Sequence, residues 1–78
     1  MKISIIIPCY NELATISEII NKIINTVSYD YEIIVIDDFS NDGTRELLEN
    51  RLKEKITKLV LNEKNFGKGY SLKRGIDA

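Results

Sequence analysis

Apolar residues fall along this chain in two alternating rhythms. Short runs dominated by β-branched residues appear at Ile3-Ser4-Ile5-Ile6-Ile7, at Ile33-Ile34-Val35-Ile36, and around Leu59-Val60-Leu61 within Ile56 to Leu61. Runs of that length and composition suit strands buried on both faces, as in a parallel sheet. Between them the apolar positions recur at helical spacing. Ile16, Ile19, Ile20, Ile23, Ile24 and Val27 make one stripe, with Asn21, Lys22 and Asn25 on the wet side. Leu47, Leu48 and Leu52 make a second. Leu72 and Ile76, with Tyr70 nearby, begin a third that is still in period at Ala78. Such stripes ordinarily bury against a sheet, and they are read here as core.

The punctuation between these runs sets the expected boundaries. Pro8 should end the first strand, because proline cannot donate to a ladder, and Pro8-Cys9-Tyr10-Asn11-Glu12 should be a loop. Thr15-Ile16-Ser17-Glu18 matches a capping box, with Thr15 at the cap and Glu18 reaching back. The helix it opens should end near Ser28, with Asp30 turning into the second strand. A second helix is expected from Asp42 or Thr44 to about Lys53. Arg45 with Glu49, and Glu49 with Lys53, are spaced for surface pairs worth only tenths of a kcal/mol. Asn62 to Gly69 reads as a loop, in which Asn65 and Gly67 suit positive φ. A last helix begins near Lys68 or Gly69.

The order is therefore β-α-β-α-β-α. It predicts an α/β fold with a parallel sheet, right-handed crossovers and a three-layer, Rossmann-like arrangement. The loops after Ile7, Ile36 and Leu61 then gather on one edge of the sheet. That edge would bring together Tyr10, Glu12, Asp37, Asp38 and Lys68. The second strand delivers the acidic pair Asp37-Asp38 to its carboxyl end, and Ser40-Asn41-Asp42-Gly43 follows with turn and helix-start chemistry. In open α/β sheets the ligand crevice lies at that end. Acidic residues after a strand also serve simply to cap a turn, so the pair alone does not decide between the two roles.

Composition narrows the classes. Seventy-eight residues allow one domain, near the lower limit for a self-sufficient core. Lys plus Arg is 11 and Asp plus Glu is 12, for a net charge of −1, which offers no electrostatic support for a nucleic-acid partner. The single cysteine, Cys9, rules out an internal disulfide and suits a reducing cytosol. The chain has no histidine, so imidazole base chemistry and histidine-ligated metals are excluded. No apolar run approaches a membrane span or a signal-peptide core.

Two pieces of chemistry remain. Gly67-Lys68-Gly69 at a helix start would suit a phosphate cradled by backbone N–H groups, or simply a flexible helix entry. It is not a dinucleotide fingerprint, because Leu72 stands where the third glycine should be, and it is not a P-loop. Asp38 would suit the N–H edge of a nucleobase, with Tyr10 stacking on the ring face. A metal shared by Asp37 and Asp38 is disfavoured, since neighbours on an extended chain point to opposite faces. Cys9 has no base to activate it and reads as an inert buried thiol.

Ile-Ile-Pro-Cys-Tyr-Asn-Glu at 6–12, Val-Ile-Asp-Asp-Phe-Ser-Asn-Asp-Gly-Thr at 35–44 and Asn-Phe-Gly-Lys-Gly at 65–69 together resemble the start of a family 2 glycosyltransferase. The dolichyl- and polyprenyl-phosphate sugar synthases are the most similar branch. The resemblance covers the whole chain and implies a GT-A type fold binding a nucleotide-diphosphate sugar, UDP- or GDP-linked, with polyprenyl phosphate as an acceptor. On this basis Pro8, Tyr10 and Glu12 match the first nucleotide-binding loop. Ile36 and Asp38 match the positions that hold the base, Asp37 matches the partner acidic residue, and Asn65, Gly67 and Lys68 match the third loop.

The family's Asp-x-Asp motif, which binds Mg²⁺ or Mn²⁺ after a fourth strand, has no counterpart in these residues. Residues 1–78 are accordingly expected to form a single partial domain, the nucleotide-sugar-binding part, with no catalytic or metal residue and no turnover by itself. The resemblance also implies a cytoplasmic location, at the cytoplasmic face of the membrane for the full-length protein. In a GT-A sheet the first strand is internal, so here Ile3 to Ile7 would form an apolar edge prone to self-association. A non-catalytic α/β binding module remains the alternative. A phospho-acceptor signalling domain is less suited, because its acidic pair follows the first strand.

Overall fold

A computed structural model describes residues 2–77, apart from the side chain of Lys68. Three parallel strands, β1 (Ile3–Cys9), β2 (Tyr31–Asp37) and β3 (Lys58–Leu61), lie in the order β1-β2-β3. Helices α1 (Ile16–Thr26), α2 (Thr44–Leu47) and α3 (Lys68–Asp77) follow the three strands in turn. α2 continues into a π turn at Leu48–Leu52 and a 3₁₀ turn at Lys53–Lys55, so this helical segment reaches slightly beyond the expected Lys53.

The central strand is buried on both faces, as its unbroken β-branched run requires. Ile33 and Val35 point to one side and pack with Cys9, Ile16, Ile20, Leu48, Leu52 and Ile56. Ile34 and Ile36 therefore point to the other, where Ile36 and Ile6 lie beneath Gly75 of α3. With strand order β1-β2-β3 and right-handed crossovers, α1 and α2 share one face. α3 crosses back over β1 and β2 on the opposite face. The result is the predicted three-layer α/β arrangement.

Several boundaries differ from expectation, each for a local reason. Pro8 does not end β1 but pairs with Ile36 inside it. Ile3 N–H donates to the Asp30 carbonyl, and the Cys9 carbonyl accepts from Asp38 N–H. The odd-numbered residues of β1 thus face β2, and the Pro8 nitrogen faces the outer edge, where no ladder bond is lost. Thr15 is the N-cap of α1, but no capping box forms. Its hydroxyl donates to Glu12 Oε2 at 2.7 Å, while the Glu12 carbonyl accepts the N–H groups of Thr15 and Ile16. The tight turn after Glu12 supplies the partner that Glu18 was expected to provide. α1 stops at Thr26, before Ser28, because Val27 is already extended at ψ 121°. β3 starts at Lys58 and not at Ile56. Thr57 donates its N–H to the Ile33 carbonyl, and its hydroxyl accepts Ile33 N–H at 3.0 Å, so a side chain replaces the ladder acceptor there. Positive φ falls on Gly67 as expected, and on Asn11 and Phe39, but not on Asn65.

Candidate functional site

The carboxyl ends of β1 and β2, together with α3, enclose a cleft of about 190 Å³ lined by Pro8, Cys9, Tyr10, Glu12, Asp38 and Ser71. Tyr10 is 45% exposed and presents its ring at the rim. Glu12 is exposed, its carboxylate steadied by Thr15. Phe66 and Tyr70 stack at 4.2 Å on the loop and first turn leading into α3, with the Lys64 ammonium 5.2 Å from the Phe66 ring.

Asp38 lies at the base of this cleft, 4% exposed. Its Oδ1 accepts from Asn62 Nδ2 at 2.9 Å and from Phe66 N–H at 2.8 Å, and its Oδ2 accepts Gly67 N–H at 2.8 Å. Burial pushes the carboxyl pKa up. The hydrogen bonds from Phe66, Asn62, Gly67 and Ser71 outweigh it and hold the group below its ordinary value. Asn62, fully buried just after β3, also donates to Ser71 Oγ at 3.1 Å and accepts from Arg74 at 2.8 Å. The loop after β3 and the first turns of α3 are thus fastened to the end of β2 through one carboxylate.

Asp37 points to the other face, as period two dictates. It is fully buried. Its Oδ1 accepts from Ser40 Oγ at 2.6 Å and from the Cys9 thiol at 3.6 Å, and its Oδ2 accepts Ser40 N–H at 2.9 Å. Arg45 Nε lies 3.6 Å from Oδ2, so a side chain expected on a solvated face turns inward. Burial, and then the Asp37 charge, push the Cys9 thiol up to about 12. It stays protonated and unreactive at neutral pH.

The two carboxylates therefore do not converge. Among the described residues no group of three or more His, Cys, Asp or Glu side chains is placed to hold a metal ion. The donor set of the described residues does not fit Mg²⁺ or Mn²⁺.

Of the residues singled out from the sequence, Pro8, Tyr10, Glu12 and Asp38 meet in the cleft. Ile36 and Asp37 are fully buried and show no surface there. Lys68 is the first residue of α3, and its side chain lies outside the described residues. Cys9 and Ser71 line the cleft without having been expected there. Asn62, Ser40 and Asn11 support it. Asn62 carried a usable signal, the first polar residue directly after an apolar strand, the same position that Asp38 holds one residue beyond β2. Ser71 carried none.

A parallel α/β sheet with helices on both faces and a cleft at its carboxyl edge is a doubly wound nucleotide-binding arrangement, and it superposes on the GT-A glycosyltransferase domain of S. aureus TarS with a TM-score of 0.80 at 27% identity, over 99% of this chain and 14% of that one. The profile of glycosyl transferase family 2 matches residues 4–78, and the chain belongs to that family. The poly(ribitol-phosphate) β-glucosyltransferase of Bacillus spizizenii is 41% identical over 71 residues, covering 88% of this chain and 11% of that protein. The dolichol-phosphate mannosyltransferase of Pyrococcus furiosus is 36% identical over 76 residues, covering 96% of this chain and 22% of that protein. The crystal structure of S. aureus TarS 1-349 in complex with UDP superposes with a TM-score of 0.67 at 30% identity, over 83% of this chain and 20% of that one. The chain thus spans no more than about a quarter of these proteins.

Proposed function

We propose that this chain binds the nucleotide of a UDP- or GDP-sugar, as the donor-binding part of a glycosyltransferase that passes the sugar to a polyprenyl phosphate. The observation that carries the reading is Asp38, an anionic, oriented carboxylate at the base of a cleft whose rim is the exposed Tyr10 ring. A carboxylate has about four acceptor positions. Asn62, Phe66 and Gly67 take three, and the fourth is turned to the Ser71 hydroxyl at the cleft wall, which the imide or amide N–H of a pyrimidine or purine ring would displace. Tyr10 would stack on the ring face. Glu12, beside Pro8, would accept from a ribose hydroxyl. A cleft of about 190 Å³ suits a base and part of its sugar, whereas complete small-molecule pockets run to roughly 300 Å³ or more.

Ile36 and Asp37 enter this reading as supports behind the cleft. Lys68 enters by its place at the start of α3, where a cation would face the diphosphate. The divalent ion, Mg²⁺ or Mn²⁺, belongs to the longer enzyme and not to these residues. The UDP bound in the TarS complex supports the nucleotide. The dolichol-phosphate mannosyltransferase relative supports the acceptor, and a lipid-linked acceptor would place the full-length protein at the cytoplasmic face of the membrane. Among the described residues no helix is long and apolar enough to cross a membrane.

Titration of the ¹⁵N-labelled chain with UDP and with GDP tests the site. Amide shifts are expected at residues 9–12, beside Pro8, and at 36–39. Tyr10→Ala, which removes an exposed ring, should weaken binding by about 1 kcal/mol, roughly 5-fold. Shifts confined to the outer surfaces of α1 and α2 would overturn the assignment.

A further inference from the structure

We propose that Asp37 is a positioning residue that aims Tyr10 and Glu12 into the cleft through Ser40 and Asn11, without touching the nucleotide. The proposal rests on the nucleotide reading above and refines the contact role that the family resemblance implies for Asp37.

The polarity of the relay is fixed by its end groups. Asn11 N–H can only donate, and it donates to Ser40 Oγ at 2.8 Å. The single hydroxyl proton of Ser40 must therefore go elsewhere, and it goes to Asp37 Oδ1 at 2.6 Å. Ser40 N–H reaches the second oxygen of the same carboxylate at 2.9 Å. One buried anion thus sets the orientation of Ser40, and Ser40 sets the backbone of Asn11. Asn11 closes the link from its own side, because its Oδ1 accepts Asn41 N–H at 2.8 Å. The loops after β1 and β2 are joined in both directions at this point.

Asn11 is flanked by the two residues that matter. Tyr10 and Glu12 are both exposed, so packing does little to hold their side chains. Where Tyr10 points depends mainly on the backbone at 10–12, and that backbone also places Glu12, whose carboxylate Thr15 then holds. That backbone includes Asn11 in the left-handed region at φ 52°, which asparagine tolerates better than most residues. On the facing loop Phe39 holds φ 65°, an uncommon state for an aromatic residue. Its neighbour Ser40 is bound to Asp37, and Arg45, the ion-pair partner of Asp37, lies 5.6 Å from the Phe39 ring. Both unusual backbone states thus sit at the relay, one on each side of it.

The test compares Ser40→Ala with the unaltered chain, reading UDP affinity, amide hydrogen exchange in the free protein and the urea midpoint. Ser40→Ala should weaken UDP roughly 5-fold, the effect of one lost hydrogen bond on the population of the binding conformation. It should also speed exchange at Asn11 and Asn41 well beyond any change in global stability. Ile20→Val, which trims the core away from the loops, serves as a control that lowers stability and should leave UDP affinity unchanged. If Ser40→Ala does not fold, Asn11→Gly carries the test, since it permits the positive φ, keeps the N–H bond to Ser40 and removes the side chain whose Oδ1 accepts Asn41 N–H. Unaltered UDP affinity and unaltered Asn11 exchange in a folded variant would overturn the relay. If the unaltered chain itself gives no UDP response, the nucleotide reading fails. The relay is then judged on the exchange of Asn11 and Asn41 alone, where faster exchange supports the loop coupling and unchanged exchange refutes it.

Discussion

Asp38 concentrates the donors of Asn62, Phe66, Gly67 and Ser71 on one carboxylate, and that makes it a support of the fold as well as a candidate ligand for a base. Hydrogen bonds to a charged group contribute about 1.5–3 kcal/mol each, and an unmatched buried partner adds its own penalty. Asp38→Asn places an amide N–H₂ where an acceptor is needed, against the N–H groups of Phe66 and Gly67 or the amide of Asn62. A loss of about 2–3 kcal/mol in urea unfolding at pH 7 is expected. The pH dependence has a defined sign. The folded pKa lies below the ordinary 3.8, so the stabilisation is fully present above 3.8 and is lost as the pH falls through the folded value. Asp42, also held low by Thr44, acts in the same direction. The acid loss should therefore shrink but not vanish in Asp38→Asn, and an equally steep loss in both proteins would contradict the assignment. At this scale the sequence was partly legible. The opposed directions of Asp37 and Asp38 follow from period two alone. Their partners do not, because Asn62, Phe66 and Gly67 are brought to Asp38 by a crossover that no local pattern encodes.

Among the elements, α3 shows how a small residue places part of the cleft. Gly75 is buried where the helix crosses the sheet. A Cβ added there would overlap Cγ2 of Ile6 and lie 2.7 Å from Cδ1 of Ile36. Alanine is the better helix former by about 1 kcal/mol. Overpacking a tight contact costs typically 1–3 kcal/mol. The second effect should win, giving Gly75→Ala a net loss of up to about 2 kcal/mol in thermal unfolding. Gly75→Ala should cost less in an Ile6→Ala background than in the parent, because the two sites share one contact. A variant as stable as the parent would show that α3 does not sit this close to the sheet. The consequence reaches the cleft, since Ser71 and Arg74 ride on the same helix and hold Asn62. Element identities were legible because the apolar runs differ in period and length. Boundaries were less so, because hydrogen bonds decide them: Glu12 in place of Glu18 at the start of α1, the Thr57 hydroxyl before β3, and an outward-facing Pro8 nitrogen within β1.

For the molecule as a whole, the outer edge of β1 is the feature with the largest consequence. In the order β1-β2-β3 this strand has a neighbour on one side, and among the described residues nothing pairs with the other. The backbone of Ser4, Ile6 and Pro8 faces outward, by the alternation that the Ile3 and Cys9 ladder bonds establish. Pro8 blunts one end of this edge and exposed Lys2 the other, but Ser4 and Ile6 keep their N–H groups, with Ile3 39% exposed alongside. Exposed apolar edges are templates for pairing with another chain. We therefore expect the 78-residue chain to self-associate through residues 3–7. Two identical edges pairing antiparallel make a two-fold contact, so each substitution acts twice. Ser4→Pro deletes an outward donor without removing a bond to β2, at the cost of a surface contact with Glu32. Losing two edge bonds at about 1 kcal/mol each should weaken association roughly 10-fold or more. Sedimentation equilibrium over a concentration series measures this directly. A monomer at all concentrations in the parent chain, with cooperative unfolding, would show that Pro8 and Lys2 already suffice to protect the edge.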